Sequence, residues 1–416
     1  MELGDPGLVE AIRAEIAATG PIPFARFMEL ALYHPRFGYY TDPDRETERI
    51  GWSGDYYTTA DVHPIFARVL VKQVAQIDAL LGHPSPFTVI EMGPGKGLFA
   101  RDFLAACRAI SHGTHGPQGP DGLLQRLQYV LIERSPALQA AQQRLLAASD
   151  APVSRISWSE SLAALDPDSV TGVLFSNELV DAFPVHRLRI QADGPKEIHV
   201  TDRDGGFCEV LKPPSTPALV EYLNRLEARG IVLQDGYTLE VNLEAGRWMR
   251  EVARVLGRGF VITIDYGHTA PDLYGPERSR GTLLGYFHQL TSENPYERVG
   301  LQDLTAHVDF SALAAIGEEA GLEVTGFTNQ MSFFISLGVE EMLQGLEPGS
   351  TAFQAVAQLL RPNGMGSTFK ILVQHKGLAR PELAGLRCKP FWRDALLGES
   401  ASVDQQMSSV RLTPHA

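Results

Sequence analysis

The chain has 416 residues, 44% of them hydrophobic, enough for one large or two ordinary domains with a full core. Its net charge of −14 argues against a general nucleic-acid binder and against adhesion to an anionic membrane. Three distant cysteines, Cys107, Cys208 and Cys388, show neither a disulfide framework nor a zinc-ligand spacing, and a reducing cytoplasm fits them.

The N-terminus is acidic and amphipathic and does not read as a signal or transit peptide. No apolar run approaches the roughly 18 residues that suggest a membrane span. Leu8, Ile12 and Ile16, then Phe24, Phe27, Met28 and Leu32, have helical spacing with Gly20-Pro21 between them. They predict two short helices. Aromatic, turn-rich stretches follow at 33–43 and 51–66, then a helix at about 64–81. Residues 1–82 are read as an N-terminal helical cap.

Alternation of strand and helix begins at 87, and residues 83–376 are read as the core. Strands are expected at 87–92, 129–133, near 153–158 and at 172–178, with helices at 97–110 and 135–148. Apolar runs such as GVLFSNE mark parallel strands covered on both faces. Residues 185–211 alternate apolar and polar about the turns Asp193-Gly194 and Asp204-Gly205. They predict inserted antiparallel strands, within an insertion of about 185–235. A helix at about 215–229 and a strand at 237–242 follow, and the core pattern returns with a helix at 244–257 and a strand at 260–267. Residues 268–310 are polar with little periodicity, and a loop this long inside a domain is usually functional. A helix at 311–320 and strands at 322–328 and 368–375 close the core, and 377–416 form a tail.

The segment TVIEMGPGKGLF carries the clearest chemistry. A buried strand ends in Glu91, and Gly93, Gly95 and Gly97 follow at alternate positions before a helix. Glycines serve where a backbone turns sharply and a ligand approaches closely. The spacing E-x-G-x-G-x-G is neither the dinucleotide fingerprint nor a Walker A loop. It looks like motif I of class I S-adenosylmethionine-dependent methyltransferases. A Gly-rich turn without a ligand and a nucleotide site are the competing readings.

Glu133 ends the second strand, where an acid can accept both hydroxyls of a ribose. That serves NAD and S-adenosylmethionine alike, and the same acid could simply cap the helix near Ser135. Asn177, Glu178 and Asp181 follow the fourth strand in SNELVDAF. The two acids could grip a cationic nucleophile or take its proton, or could serve only the start of a helix. Asp265 ends FVITID and points to the same face, with a turn ahead of Gly267 as the alternative. His186 could be a base or structural. GDYYTTADVHPIF could close over a cofactor, with Thr59 or Asp61 as a helix cap. His307 and Asp309 could line the substrate side, with Asp309 or Ser311 as a cap. No H-E-x-x-H or G-x-S-x-G occurs, and SHGTH is not read as a metal site.

In this order, YHPRFGYY, GDYYTTADVHPIF, IEMGPGKGLFARDFL, SNELVDAFPVHRL, VITIDYG and DLTAHVDF resemble the MidA family over about residues 20 to 375. Its mitochondrial members are complex I assembly factors that methylate an arginine of a partner subunit. The resemblance implies an α/β, Rossmann-like class I methyltransferase core with a seven-stranded sheet whose last strand is antiparallel. It implies S-adenosyl-L-methionine as cofactor, with Glu91, Gly93, Gly95 and Gly97 in its loop and Glu133 at its ribose. Asn177, Glu178 and Asp181 match the family's N-E-L-x-D-A segment. Thr59-Ala60-Asp61 departs from the Ser-Pro-Glu of the family pattern. Glu178 is the first choice for orienting and deprotonating an arginine, with Asp181 or Asp265 second. The expected partner is a protein substrate bearing arginine, or a small-molecule acceptor of an O- or N-methyltransferase; a homodimer is the other partner considered. A binding factor that holds the cofactor without turnover is the remaining alternative. No nucleic acid or membrane is expected, and the placement is cytoplasmic.

Overall fold

The computed structural model describes residues 3–42, 63–111, 121–149, 153–362, 364–388 and 396. Its central sheet contains β1 (Phe87–Met92), β2 (Leu127–Ile132), β3 (Ile156–Ser159), β4 (Val170–Asn177), β5 (Leu256–His268), β6 (Glu323–Asn329) and β7 (Phe369–Lys376). The strands lie in the order β6-β7-β5-β4-β1-β2-β3. β1 through β5 pair in parallel, and β7 runs antiparallel to both β5 and β6. The sheet has eight strands rather than the expected seven, because the short strand Val308–Asp309 pairs in parallel with the end of β5.

Every residue of β1 is buried, as expected for a strand covered on both faces. Val89 packs into one core with Phe66, Phe103, Tyr129 and Phe175, and its neighbour Ile90 into the other with Trp248, Met249 and Phe310. Alternation along a strand sends successive side chains to opposite faces, so β1 separates the two cores.

The helices are α1 (Pro6–Thr19), α2 (Phe24–Tyr33), α3 (Ile65–Leu80), α4 (Leu98–Ser111), α5 (Pro136–Ala147), α6 (Leu243–Val255) and α7 (Phe310–Glu319). α5 starts at Ser135, whose hydroxyl accepts from the Leu138 amide, with Pro136 at the first helical position. Asn242 and Asp309 cap α6 and α7 in the same way. Asp309, rather than Ser311, is therefore the cap of α7. Ser311 is buried and donates to the Leu396 carbonyl.

A second sheet is formed by the antiparallel strands His186–Gln191, Gly194–Arg203, Gly206–Lys212 and Thr238–Val241. Ile22–Pro23 adds to its edge. α1 and α2 pack on this sheet through Phe24, Phe27, Val200 and Phe207.

Residues 268–310 are not a plain loop. They hold a three-stranded antiparallel sheet of Leu284–Phe287, Leu290–Ser292 and Asp303–Thr305. Strands of three or four residues are too short to show a period, which is why the pattern was silent. Among the described residues between β6 and β7 lie four short helices, Gln330–Ser336, Val339–Leu343, Thr351–Leu360 and Met365–Thr368, none of them expected from the sequence.

Candidate functional site

The register pairs Met92 with Ile132 and Ser176, and Asn177 with Ile264. Gly93, Glu133, Asn177 and Asp265 therefore stand at one edge of the sheet, on adjacent strands in the order β2-β1-β4-β5. With neighbouring strands about 4.8 Å apart, the row from Glu133 to Asp265 is about 14 Å long. In open α/β sheets the crevice beyond this edge is where ligands bind.

Gly93, Gly95 and Gly97 have φ of 65°, 51° and 79°, a left-handed run that side chains resist. A Cβ at Gly93 would lie 2.8 Å from Leu179 Cδ1, in the segment after β4. The Gly93 amide donates to the Ile132 carbonyl at 3.2 Å and the Gly97 amide to the Pro94 carbonyl at 2.8 Å. The loop is thus a tight cradle pinned to the end of β2.

Glu133 is half-buried. Its Oε1 accepts from the Ser135 amide at 2.9 Å and its Oε2 from Gln142 Nε2 at 3.2 Å. Glu133 therefore touches the start of α5, as the capping alternative holds, while Ser135 supplies the cap itself. Gln142, fully buried on α5, also donates to the Gly95 carbonyl at 2.7 Å and accepts from Trp158 Nε1 at 2.9 Å. One amide thus ties the glycine loop to the acid of β2. The sequence reading did not single out Gln142, although it lies four residues from both Leu138 and Leu146 on the buried stripe of α5.

Glu91 points away from this edge into the core, where its Oε2 accepts from the Tyr129 hydroxyl at 2.7 Å. Burial pushes its carboxyl up to about 8, with the Tyr129 bond pulling the other way.

Glu178 follows β4 at φ 52°, and its amide donates to the Ile264 carbonyl at 3.0 Å. A non-glycine residue in this region carries about 1 kcal/mol or more of strain, a cost concentrated at functional sites. Asn177 Nδ2 donates to Glu178 Oε1 at 3.0 Å, and Asn177 Oδ1 is buried with no hydrogen-bond partner among the described residues.

Asp265 is buried, and its two oxygens are turned to the backbone. Oδ2 accepts from the amides of Leu179, Val180 and Asp181 at 3.2, 2.9 and 3.4 Å, and Oδ1 from that of Tyr266 at 2.9 Å. Burial and the nearby Asp181 raise its carboxyl, and the Val180 and Tyr266 amides lower it.

Asp181 is 3% exposed, and its Oδ1 has no hydrogen-bond partner among the described residues. Burial pushes its carboxyl up to about 6, against the pull of the Tyr266 hydroxyl and the Ala182 amide.

Two further elements reach this point. The Ala306 amide donates to the Asp181 carbonyl at 3.0 Å, and the Tyr33 hydroxyl to the Ala182 carbonyl at 3.0 Å. The Tyr40 hydroxyl donates to Asp303 Oδ1 at 2.8 Å. Tyr40 lies in the aromatic stretch at 33–43, and Asp303 opens the segment DLTAHVDF without being singled out by its own position.

His307 packs edge-on to Tyr266 at 5.7 Å and tilted on His268 at 5.2 Å, and burial pushes it down to about 4. His186 Nδ1 lies 2.7 Å from Glu197 Oε1 inside the second sheet, a structural pairing. Residues 54–62 of GDYYTTADVHPIF, with Thr59 and Asp61, lie outside the described residues, as do 112–120 and most of the tail. Among the described residues, no group of three or more His, Cys, Asp or Glu could hold a metal, and no helix is long and apolar enough to cross a membrane.

Residues 69–328 match a family model described as S-adenosyl-L-methionine-dependent methyltransferase. The mitochondrial protein arginine methyltransferase NDUFAF7 homolog of Drosophila melanogaster is 28% identical, with 92% of this chain and 88% of that protein covered. Human mitochondrial NDUFAF7, also named a protein arginine methyltransferase, is 26% identical over 91% of this chain and 86% of its own length. A COG1565 superfamily structure from Burkholderia thailandensis, bound to S-adenosyl-homocysteine, superposes with a TM-score of 0.81. It is 31% identical and covers 92% of this chain and 95% of its own. The curated relatives are named as mitochondrial, which overturns the cytoplasmic placement expected from the sequence. Three cysteines far apart in sequence and an acidic, amphipathic start do not distinguish one thiol-sparing compartment from another.

Proposed function

We propose that this chain, which belongs to the MidA family of S-adenosyl-L-methionine-dependent methyltransferases, transfers a methyl group to an arginine side chain of a protein partner. The observation that carries the acceptor reading is Asp181, a buried carboxylate with an unpartnered oxygen, three residues after Glu178 at the strand edge. The arginine methyltransferase names of the relatives agree with it.

S-adenosyl-L-methionine is the cofactor, and when bound it supplies an electrophilic methyl group. The residues fit it. The left-handed glycine loop, where a Cβ at Gly93 would crowd Leu179 Cδ1, suits its methionine end, and Glu133 suits the hydroxyls of its ribose. Glu91 acts beneath the loop, holding β1 to β2 through Tyr129. Asn177 adjoins the cofactor side and holds Glu178 in place.

A guanidinium is a poor nucleophile because its pKa exceeds about 12. Glu178 and Asp181 orient its N–H groups and localise its charge, and Glu178 takes the proton released as the new N–C bond forms. Asp265 is a positioning residue, because it gathers three successive amides of the turn that carries both acids. Alignment of the reactants and exclusion of water complete the catalytic contribution. We keep the division into a cap of residues 1–82, a core of 83–376 with insertions at about 185–235 and 268–310, and a tail of 377–416. In this division the cap and the second insertion bring tyrosines to the site.

The test is labelled cofactor added to lysate with the parent protein and with Glu178→Gln. The parent should label a protein band, and the variant should lose turnover while S-adenosyl-homocysteine affinity stays unchanged. Label confined to a small molecule would refute the protein acceptor. An equally active Glu178→Gln would refute the role given to Glu178.

A further inference from the structure

The segment between β4 and the strand His186–Gln191 forms no helix, so the backbone groups of residues 178–182 have no regular element of their own to satisfy them. Within the turn the Phe183 amide donates to the Val180 carbonyl at 3.2 Å. The rest of the frame comes from outside. The amides of Leu179, Val180 and Asp181 go to Asp265 on β5. Three successive carbonyls go to three other elements. Val180 accepts from Asn242 Nδ2 at 3.0 Å, Asp181 from the Ala306 amide at 3.0 Å and Ala182 from the Tyr33 hydroxyl at 3.0 Å. Asn242 stands at the start of α6, Ala306 in the 268–310 insertion and Tyr33 at the end of α2. The turn that carries Glu178 and Asp181 is thus placed by tertiary bonds rather than by its own sequence. Glu178 keeps its φ of 52° inside this frame, and such a conformation persists only where the surroundings over-determine it.

We propose that Asn242 and Tyr33 are positioning residues of this turn, each fixing one of its carbonyls so that the Glu178 and Asp181 carboxylates are held in place for the acceptor. This rests on the function proposed above and adds two residues from outside the strand edge, one of them in the N-terminal cap. Asn242 does two things with one side-chain amide. Its Oδ1 accepts from the Ala245 amide at 2.8 Å and caps α6, while its Nδ2 holds Val180. The two bonds need opposite ends of the amide, oxygen toward the helix and nitrogen toward the turn. Serine and aspartate cap a helix as well as asparagine does. Serine is too short to reach the turn as well, and a carboxylate has no proton to donate to a carbonyl. Capping alone would be met by any of the three, whereas the tie to Val180 asks for asparagine. Tyr33 reaches the Ala182 carbonyl through its hydroxyl, so phenylalanine keeps the ring stacked on Tyr40 at 5.5 Å and loses only the bond.

The experiment compares the parent with Asn242→Ser, Asn242→Asp and Tyr33→Phe, each checked for folding by its melting temperature. Three quantities are read: amide hydrogen exchange across residues 176–185, S-adenosyl-homocysteine affinity by calorimetry, and the initial rate of label transfer from tritiated-methyl cofactor into lysate. Each variant should exchange faster across the turn and label about threefold to tenfold more slowly, the size of one neutral hydrogen bond. Asn242→Asp should be slower than Asn242→Ser, because its carboxylate oxygen faces the Val180 carbonyl where a donor stood. S-adenosyl-homocysteine affinity should stay as it is, since Leu179, which lies against Gly93, keeps its amide on Asp265. A residue that only supported the fold would lower the melting temperature and leave the rate of the folded protein alone. A folded variant of either residue that labels at the parent's rate would therefore overturn the proposal. So would unchanged exchange across the turn, or a cofactor affinity that falls in step with the rate. The two readings fail separately: label confined to a small molecule removes the arginine acceptor, whereas equally active variants remove the positioning role.

Discussion

Replacing Gln142 with Met separates the fold from the organisation of the cofactor site. The two side chains have similar length and volume, so the buried position on α5 stays filled. Three bonds disappear: to the Gly95 carbonyl at 2.7 Å, to Glu133 Oε2 at 3.2 Å and from Trp158 Nε1 at 2.9 Å. A stranded buried partner costs about 1–3 kcal/mol. Gly95, Glu133 and Trp158 are all half-buried, so water reaches them and the low end applies. Gln142→Met should therefore lose about 3 kcal/mol of stability, about 1 for each partner. The glycine loop and the Glu133 carboxylate would each lose a tether, and holding them again should cost a further 1 kcal/mol or so on cofactor binding. That is roughly fivefold to tenfold in affinity. Thermal unfolding and calorimetric titration with S-adenosyl-homocysteine, on one preparation, measure both effects. An unchanged affinity with a lowered melting temperature would show that Gln142 supports the fold alone. No change in either would refute the network.

Gly93→Val should abolish S-adenosyl-homocysteine binding in a folded protein, because a branched side chain at φ 65° both strains the turn and collides with Leu179; calorimetry reads it. Glu178→Gln should lower the methyl-transfer rate by about 10²–10⁴, the range for a lost general base, and leave cofactor affinity as it was. The parent's rate should fall as pH drops through about 6, where the buried Asp181 takes up a proton and its charge is lost; a pH–rate profile from pH 5 to pH 8 shows it. Glu91 gives a stability effect of opposite use. Its carboxyl is raised from 4.5 to about 8 in the fold, so the linked stability is full below 4.5 and is lost as pH rises through 8. Glu91→Gln cannot titrate, and its melting temperature should fall less than the parent's between pH 5 and pH 9.

The proposed cofactor half of the site carries a local signal in the sequence. The left-handed glycines, the acid that ends β2 and the buried strand before the loop lie in two short segments, and each residue type has a backbone or bonding reason to be there. The proposed acceptor side draws on distant segments. Asp303 reaches Tyr40 across a sequence separation of 263 residues, through a sheet whose strands are too short to show alternation. Glu178 and Asp265 were both visible as acids at strand ends, but type and position could not tell them apart. The register does: one sits at a strained φ beside Asn177, while the other is wrapped by four backbone amides. Gln142 was hidden for a different reason, since a polar residue on an amphipathic helix is ordinary until its partners are known. The eighth strand, two residues long, falls below what any periodicity can mark.

The central claim is that this site methylates arginine, and the chemical identity of the methylated group tests it most directly. Protein labelled from the tritiated-methyl cofactor should be hydrolysed to amino acids and the label identified by chromatography against standards. The account predicts methylated arginine, absent when Glu178→Gln replaces the parent enzyme. Label recovered as methyl-lysine, as a base-labile carboxyl ester or in a small molecule would contradict it.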